Sequence, residues 1–156
     1  MTTLTAEQAV QNGAAWLDLT YPGWYRSIDL SILDVSRCNV CVLGQVYTGH
    51  IPAEERNGVL AQAMVTMSPY VYPMGYTVLS ARHELSAVEL RSMGFLGVVA
   101  DCEVPECDNC DPGRPTYAEL TDAWTTLIIG RRLNDHPDVR MQHSTLGVAE
   151  RERVAA

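Results

Sequence analysis

The sequence predicts a mainly helical single domain of the α+β class, with a small two- or three-stranded β element between residues 70 and 100. Three capping-box sequences, in which Ser or Thr precedes Glu or Gln by three positions, open segments with apolar residues at helical spacing. One stretch rich in tyrosine and valine, Tyr70–Leu79, is instead typical of a strand. The chain has 156 residues, 47% of them hydrophobic, which is enough to bury one core.

The first capping box joins Thr5 and Gln8, and it predicts a helix that begins near Ala6. The turn-forming residues 21–23 end this helix, and a short helix or turn is expected over residues 24–33. The expected buried face of the first helix consists of Val10, Gly13, Ala14 and Leu17.

Two further helices are predicted before residue 70. Ser36 is expected to cap a helix that runs through Cys41 to about Tyr47, which would place a cysteine pair at a helix N-terminus, where thiolates are favoured. A loop at residues 49–52 follows, and then a helix over about 54–67. Its apolar face consists of Leu60, Ala63, Met64 and Met67.

The β element is predicted from two segments. Pro73 and Gly75 confine Tyr70–Leu79 to an edge strand or a pair of short strands, because proline cannot donate to a sheet ladder. Phe95–Ala100 is apolar throughout and is predicted to be a buried strand.

Two helices are predicted in the second half of the chain. A capping box at Ser86 opens a short helix to Met93, with Gly94 as its C-cap. A third box at Thr116 opens the clearest helix, which is expected to end near Leu133. Its apolar face consists of Leu120, Ala123, Trp124, Leu127 and Ile128.

The chain is predicted to consist of a globular domain followed by a tail, and it is acidic as a whole. Residues 1–133 are predicted to form one globular domain, and residues 134–156 a polar, weakly packed tail. The net charge is −8 and every one of the eleven basic residues is arginine. An acidic body of this kind is a poor nucleic-acid binder, because phosphate neutralisation drives that affinity. The charge suits solubility or a basic partner surface.

The expected location is the cytoplasm of the cell that makes the protein. No apolar run approaches the ~18–20 residues of a membrane span. The N-terminal residues lack the basic and apolar regions of a signal peptide. In a reducing compartment, cysteine pairs are more often metal ligands or redox thiols than disulfides.

Two Cys-x-x-Cys pairs are the main candidate site. They are Cys38 with Cys41 and Cys107 with Cys110, separated by 65 residues. Four thiolates from two local turns form the ligand set of a structural Zn²⁺, and such a site has no open position for catalytic water. The sequence therefore predicts a four-cysteine zinc site that clips the domain together.

Alternatives to this site remain open at the level of sequence. An Fe–S cluster also takes four cysteines. Cys102 can replace one ligand or be a buried small hydrophobe, and His50 is a weaker substitute ligand. A thiol–disulfide enzyme or sensor using Cys38 and Cys41 is a rival, although no βαβ pattern surrounds that pair. The acids around Cys107 disfavour a reactive thiolate there.

Two other segments match known catalytic motifs only in part. The proline, glutamate and cysteine at residues 105–107 differ from a zinc deaminase signature, which has proline directly before cysteine and a His-x-Glu upstream. His83 and Glu84 lack the second histidine of a metalloprotease helix. The sequence therefore favours a non-enzymatic protein, with the thiol–disulfide enzyme at Cys38 and Cys41 as the alternative.

Several short motifs carry a family resemblance. They are Gly13-Ala-Ala-Trp-Leu-Asp18, Pro22-Gly-Trp24, Ile28-Asp29, Leu33-Asp34, Cys38-x-x-Cys41-Val-Leu-Gly-Gln45 and Tyr117-x-x-Leu-Thr-x-x-Trp124. The chain resembles, over residues 1–47 and 117–132, a family of small proteins encoded by actinobacterial phages. The resemblance implies a phage or prophage source and implies no activity, and the lysine-free composition agrees with that source.

The function predicted from these observations is that of a phage accessory protein that binds a host or phage protein. Trp24, Tyr25, Tyr70 and Tyr72 are candidate exposed aromatic contacts, although at least half of them are expected to belong to the core. A transcription regulator that acts through protein contacts is a further alternative, because the acidic loop beside Cys107 disfavours direct contact with DNA.

Overall fold

The computed structural model describes residues 3–64, 75–99 and 113–136, and this part of the chain is mainly helical. The helices are α1 (Ala6–Thr20), α2 (Val42–Gln45), α3 (Ala53–Met64), α4 (Gly75–Arg82), α5 (Ala87–Ser92) and α6 (Tyr117–Asp135). A 3₁₀ turn at Trp24–Arg26 follows α1, and a π-helical turn at Val46–His50 extends α2. None of the described helices is both long and apolar enough to cross a membrane.

All three predicted capping boxes are confirmed. Thr5, Ser86 and Thr116 each accept a hydrogen bond from the backbone N–H three residues later, and the side chain there bonds back to the cap. This reciprocal pairing satisfies donors that the first turn of a helix leaves unpaired. The C-cap of α5 is Met93, so the prediction of Gly94 as C-cap is off by one residue. Gly94 follows it with a φ of 68°, a left-handed conformation that favours glycine after a helix end.

Helices α1 and α6 pack side by side and run in the same direction. Gly13 faces the ring of Trp124, and Asp18, farther along α1, pairs with Arg131, farther along α6. The predicted buried face of α1 is confirmed, and that of α6 is confirmed for Leu120, Trp124 and Ile128. Ala123 and Leu127 are half-buried and pack against the same core.

Large aromatic side chains fill the space beside these two helices. Trp124 is fully buried, stacks on Phe95 at a ring-centroid distance of 5.4 Å and meets Trp24 edge-on at 5.5 Å. Its indole Nε1 donates to the Gly94 carbonyl at 2.7 Å. Trp24 is also fully buried, so its prediction as an exposed contact is wrong, whereas Tyr25 is half-buried. The contact candidates Tyr70 and Tyr72 lie outside the described residues.

The helix predicted to begin after Ser36 begins later than expected. Residues 36–41 form consecutive turns, because the Asp34 carboxylate accepts from the backbone N–H of Ser36 and the Arg37 carbonyl accepts from that of Cys41. The helix begins only at Val42. The loop predicted at residues 49–52 is shorter than expected, since the π-helical turn continues to His50 and α3 begins at Ala53.

The strand predictions are wrong where the structure describes them. Residues 75–79 lie in α4, with Val78 and Leu79 fully buried, because tertiary packing overrides the β propensity of their side chains. The apolar stretch after Gly94 forms no strand in residues 95–99, and its one ladder contact is an isolated parallel bridge from Val98 to Thr116. Residues 65–74 and 100, which complete the predicted β element and α3, lie outside the described residues.

The last helix is longer than predicted and reaches Asp135. The Asp135 carboxylate receives hydrogen bonds from Tyr25 and Arg26, so the described part of the predicted tail is anchored to the turn after α1. The remainder of the tail, residues 137–156, lies outside the described residues.

Candidate metal centre

The cysteine pair lies on a tight turn immediately before α2. Cys41 is the N-cap of α2, and its Sγ accepts a hydrogen bond from the Gly44 N–H at 3.4 Å. The turn is closed by the Cys41 N–H, which donates to the Arg37 carbonyl at 2.8 Å. Backbone N–H groups directed at a cysteine sulfur stabilise the thiolate form that metals bind.

The two sulfurs differ in exposure. Cys38 is half-buried, whereas Cys41 has a relative exposure of 3%. Burial raises the pKa of the Cys41 thiol to about 12, and the Gly44 N–H only partly opposes this. In the absence of metal, burial therefore outweighs the favourable effect that a helix N-terminus was expected to have on this thiol.

Three backbone segments meet at this turn without intervening side chains. A Cβ on Gly44 would lie 2.3 Å from the Cys38 carbonyl oxygen, and a Cβ on Gly75 would lie 2.9 Å from the Gly44 carbonyl oxygen. The N–H of Tyr76 donates to the Cys38 carbonyl at 3.3 Å. The cysteine turn, α2 and the start of α4 are therefore stacked backbone on backbone.

The buried amide of Gln45 fixes the turn from its other side. Its Nε2 donates to the carbonyls of Val40 at 2.8 Å and Asp29 at 3.1 Å, and its Oε1 accepts from the Asp29 N–H. The side chain thus satisfies three backbone groups that the turns leave unpaired. The sequence Val42-Leu-Gly-Gln45 after the cysteines has a physical reason: two core residues, one close backbone contact and one buried amide.

The structure places only half of the predicted ligand set. Cys38 and Cys41 are described and both are free thiols, whereas Cys107, Cys110 and Cys102 lie outside the described residues. Within the three described ranges, no three His, Cys, Asp or Glu side chains are grouped so as to hold a metal ion. The four-cysteine site stays a prediction.

His50, the weaker substitute ligand, belongs to an aromatic cluster that the sequence did not reveal. Its ring meets Tyr21 edge-on at 6.1 Å, and the Tyr21 hydroxyl lies 2.8 Å from Nε2 of His83. Trp16 packs edge-on against His83 at 5.1 Å. These residues come from the ends of α1, the π-helical turn and α4, so no local spacing indicates that they meet.

An open groove lies at the N-terminal ends of α1 and α6. It encloses about 630 Å³ and is lined by residues 3–7, Val10 and Gln11 on one side and by residues between Gly113 and Leu127 on the other. Three of its lining residues are acidic: Glu7, Glu119 and Asp122. No sequence pattern indicates this groove, because it depends on which small residues face each other across two distant helices.

Comparison with known proteins gives no relative for this chain. No family model matches it, and neither a curated protein nor a solved structure matches. The resemblance to small actinobacteriophage proteins therefore stays a prediction from the motifs.

Proposed function

We propose that this chain is a non-enzymatic phage accessory protein that acts in the host cytoplasm by binding a host or phage protein. A structural Zn²⁺ held by Cys38, Cys41, Cys107 and Cys110 clips its domain together, in place of an Fe–S cluster. The observation that carries the zinc site is the turn at Cys38–Cys41, where two free thiols, a close glycine contact and an N–H directed at sulfur are combined.

The geometry of the turn supports a structural role over a catalytic one. Cys38 and Cys41 are held by backbone contacts from α2 and α4, and the Cys41 sulfur is nearly inaccessible. A structural site has no open coordination position, and its ligands come from short, rigid turns of this kind. Metal bound there would join α2 and α4 to the segment of sequence that carries Cys107 and Cys110, and so would tie together two parts of the chain that are far apart in sequence.

Elemental analysis tests the metal directly. We expect one zinc per chain after dialysis, loss of that zinc in Cys38→Ser and in Cys107→Ser, and its retention in Cys102→Ser. Iron with visible absorption would replace the zinc proposal by an Fe–S cluster. Metal-free protein with titratable thiols would contradict both.

A thiol–disulfide function is the second candidate, because Cys38 is a half-buried free thiol beside a second cysteine. Redox Cys-x-x-Cys pairs use the helix N-terminus to activate the attacking sulfur. Here the helix N-cap is the second cysteine, Cys41, and Cys38 precedes the helix by a full turn. Reductase activity on a model disulfide that disappears in Cys41→Ser would establish this candidate instead.

Affinity purification tests the binding function. Tagged protein is incubated with lysate of an actinobacterial host, with and without phage infection, and a stoichiometric partner is expected in one of the two. A metal-depleted sample is the matched control, since removal of a clip is expected to weaken capture. Repeated experiments without a stoichiometric partner would contradict the binding function.

A further inference from the structure

We propose that the groove between the N-terminal ends of α1 and α6 is the docking site for a cationic, partly apolar segment of the partner protein. This inference rests on the proposed binding function and names the surface and the chemistry of the partner. The groove encloses about 630 Å³, which accommodates a few side chains of an extended or helical segment.

The shape of the groove follows from residue size along the two helices. Where Gly13 faces Trp124, the helices are in close contact, and a Cβ on Gly13 would lie 2.9 Å from the indole ring. Toward the N-termini the lining residues include Ala6 and Ala123, whose small side chains fill little of the space between the helices.

The floor of the groove is apolar. Val10 is buried there, and Leu127 is half-buried and packs against the core. Leu4 has a relative exposure of 37% and lies at the mouth. An apolar side chain that enters the groove would therefore remove partly exposed hydrophobic surface from water, which favours binding.

The rim of the groove is negatively charged. Glu7, Glu119 and Asp122 are exposed, and no lysine, arginine or histidine lies among the described residues that line the groove. The Glu119 carboxylate accepts hydrogen bonds from the backbone N–H and hydroxyl of Thr116, which lower its pKa and hold the charge in place.

The local needs of the helices explain only part of this charge. Glu7 and Glu119 lie in the first turns of their helices, where acids stabilise the helix end. Asp122 lies beyond the first turn of α6 and makes no hydrogen bond or ion pair to another described residue. Its carboxylate is available to a partner.

The partner's charge and class follow from these features. Carboxylates repel a nucleic-acid backbone, and the described residues provide no group of three ligands for a metal ion. Arginine or lysine side chains beside an apolar residue match both the acidic rim and the apolar floor. The occupant is therefore a protein segment in which basic and apolar residues alternate or share one face.

Amide chemical-shift mapping on the full chain tests this proposal with defined probes. The first probe is a short peptide of alternating arginine and leucine, and the second is the same peptide with glutamate in place of arginine. The arginine peptide is expected to shift Ala6, Val10, Ala123 and Leu127 and to bind more weakly as salt is raised. The glutamate peptide is expected to leave those signals unchanged.

Charge and shape variants separate the groove from general electrostatic attraction. The double variant Glu7→Gln with Asp122→Asn is expected to lower the affinity for the arginine peptide about three- to tenfold. This is the size expected for the loss of two exposed charge pairs. The matched control is the double variant Glu54→Gln with Glu55→Gln, which removes two exposed acids of α3. We expect it to leave the affinity for the arginine peptide unchanged. Thr126→Trp, at an exposed lining position, is expected to block the peptide without lowering the melting temperature.

Equal binding of both peptides, shifts outside the groove, or equal effects of the two double variants would overturn the groove proposal. The lysate experiment separates this failure from failure of the binding function. If Thr126→Trp still captures the partner in full, the groove is not the docking site, and the proposed binding function is unaffected. Loss of that partner in Thr126→Trp, with the control variant unaffected, would support the groove.

Discussion

Two regions of the described molecule are stabilised in different ways. Around α1 and α6, large aromatic side chains pack together, with the ring of Trp124 in contact with those of Trp24 and Phe95, and Gly13 lies close to the Met93 carbonyl. Around the cysteine turn, glycines and backbone groups make close contacts, and the buried amide of Gln45 makes three hydrogen bonds to backbone groups. The first region depends on the close packing of large side chains, whereas the second depends on short distances between backbone segments.

Electrostatic interactions reinforce the same contrast. In the helix pair, Arg131 binds both oxygens of Asp18 and lies over the ring of Trp24. Burial alone would raise the pKa of Asp18, but the hydrogen bonds from Arg131 and Trp24 outweigh it and lower the pKa. In the cysteine region only backbone N–H groups, and no described charged group, oppose the burial that raises the pKa of the Cys41 thiol.

The largest expected effect is in the helix pair. Trp124→Ala should lower the free energy of unfolding by about 3–5 kcal/mol, because it removes a fully buried indole that touches both other rings. Denaturant unfolding of protein prepared with and without a chelator measures this loss. A loss that appears only in the metal-free sample would contradict the separation of the two regions. Trp124→Phe is the control and should cost less, since it gives up mainly the hydrogen bond to Gly94.

The next effect is in the cysteine region. Gly44→Ala should cost about 1–3 kcal/mol, because the new methyl group would lie 2.3 Å from the Cys38 carbonyl oxygen and force backbone movement. Gly58→Ala is the matched control, since nothing lies within 4 Å of its added Cβ and it is within α3. That control should gain about 0.5–1 kcal/mol from helix propensity. Equal effects of the two substitutions would show that the close contact has no energetic consequence.

A smaller effect is expected at the end of α4, which links the two regions. Glu84 adopts a φ of 52°, in a helix-end motif where the Leu85 N–H donates to the Ser80 carbonyl at 2.9 Å. Glycine adopts this left-handed conformation freely, so Glu84→Gly should raise the free energy of unfolding by about 1 kcal/mol. Ala61→Gly, in the interior of α3, should lower it by a similar amount. A lower melting temperature for Glu84→Gly would contradict this interpretation.

The smallest effect concerns pH at the same link. Burial lowers the pKa of His83, and the neighbouring Arg82 lowers it further. The unfolded chain therefore binds a proton at His83 more readily than the folded protein does. Above the ordinary pKa of 6.5 the neutral His83 leaves the free energy of unfolding unaffected, and as pH falls below 6.5 the free energy of unfolding decreases. Unfolding measured across this range should show a smaller loss of stability in His83→Gln than in the unchanged protein. An identical acid response in both would exclude His83 as the cause.

The same contrast explains what the sequence could and could not predict. The three capping boxes and the faces of α1 and α6 are local patterns, and all were correct in kind. Residues 75–79 were predicted as a strand but lie in α4, whose position depends on contact with Gly44, far away in sequence. Ser36 looked like a helix cap, but the Asp34 carboxylate bonds it into a turn instead.

The candidate sites divide in the same way. The cysteine pair could be recognised from its spacing, which is a property of neighbouring residues. The groove and the cluster of Trp16, Tyr21 and His83 could not, because each assembles side chains from helices that the sequence alone does not place together.

The pairing of the first and last described helices has a consequence for synthesis. Asp18 and Arg131 are 113 residues apart in sequence, and contacts between residues so far apart in sequence are slow to form during folding. While the ribosome is still making the middle of the chain, the apolar face of α1 has no α6 to cover it, which makes it a target for chaperones or aggregation. Truncated nascent chains that end before Tyr117 should therefore remain protease-sensitive throughout α1, and protection should appear in one step once α6 has emerged.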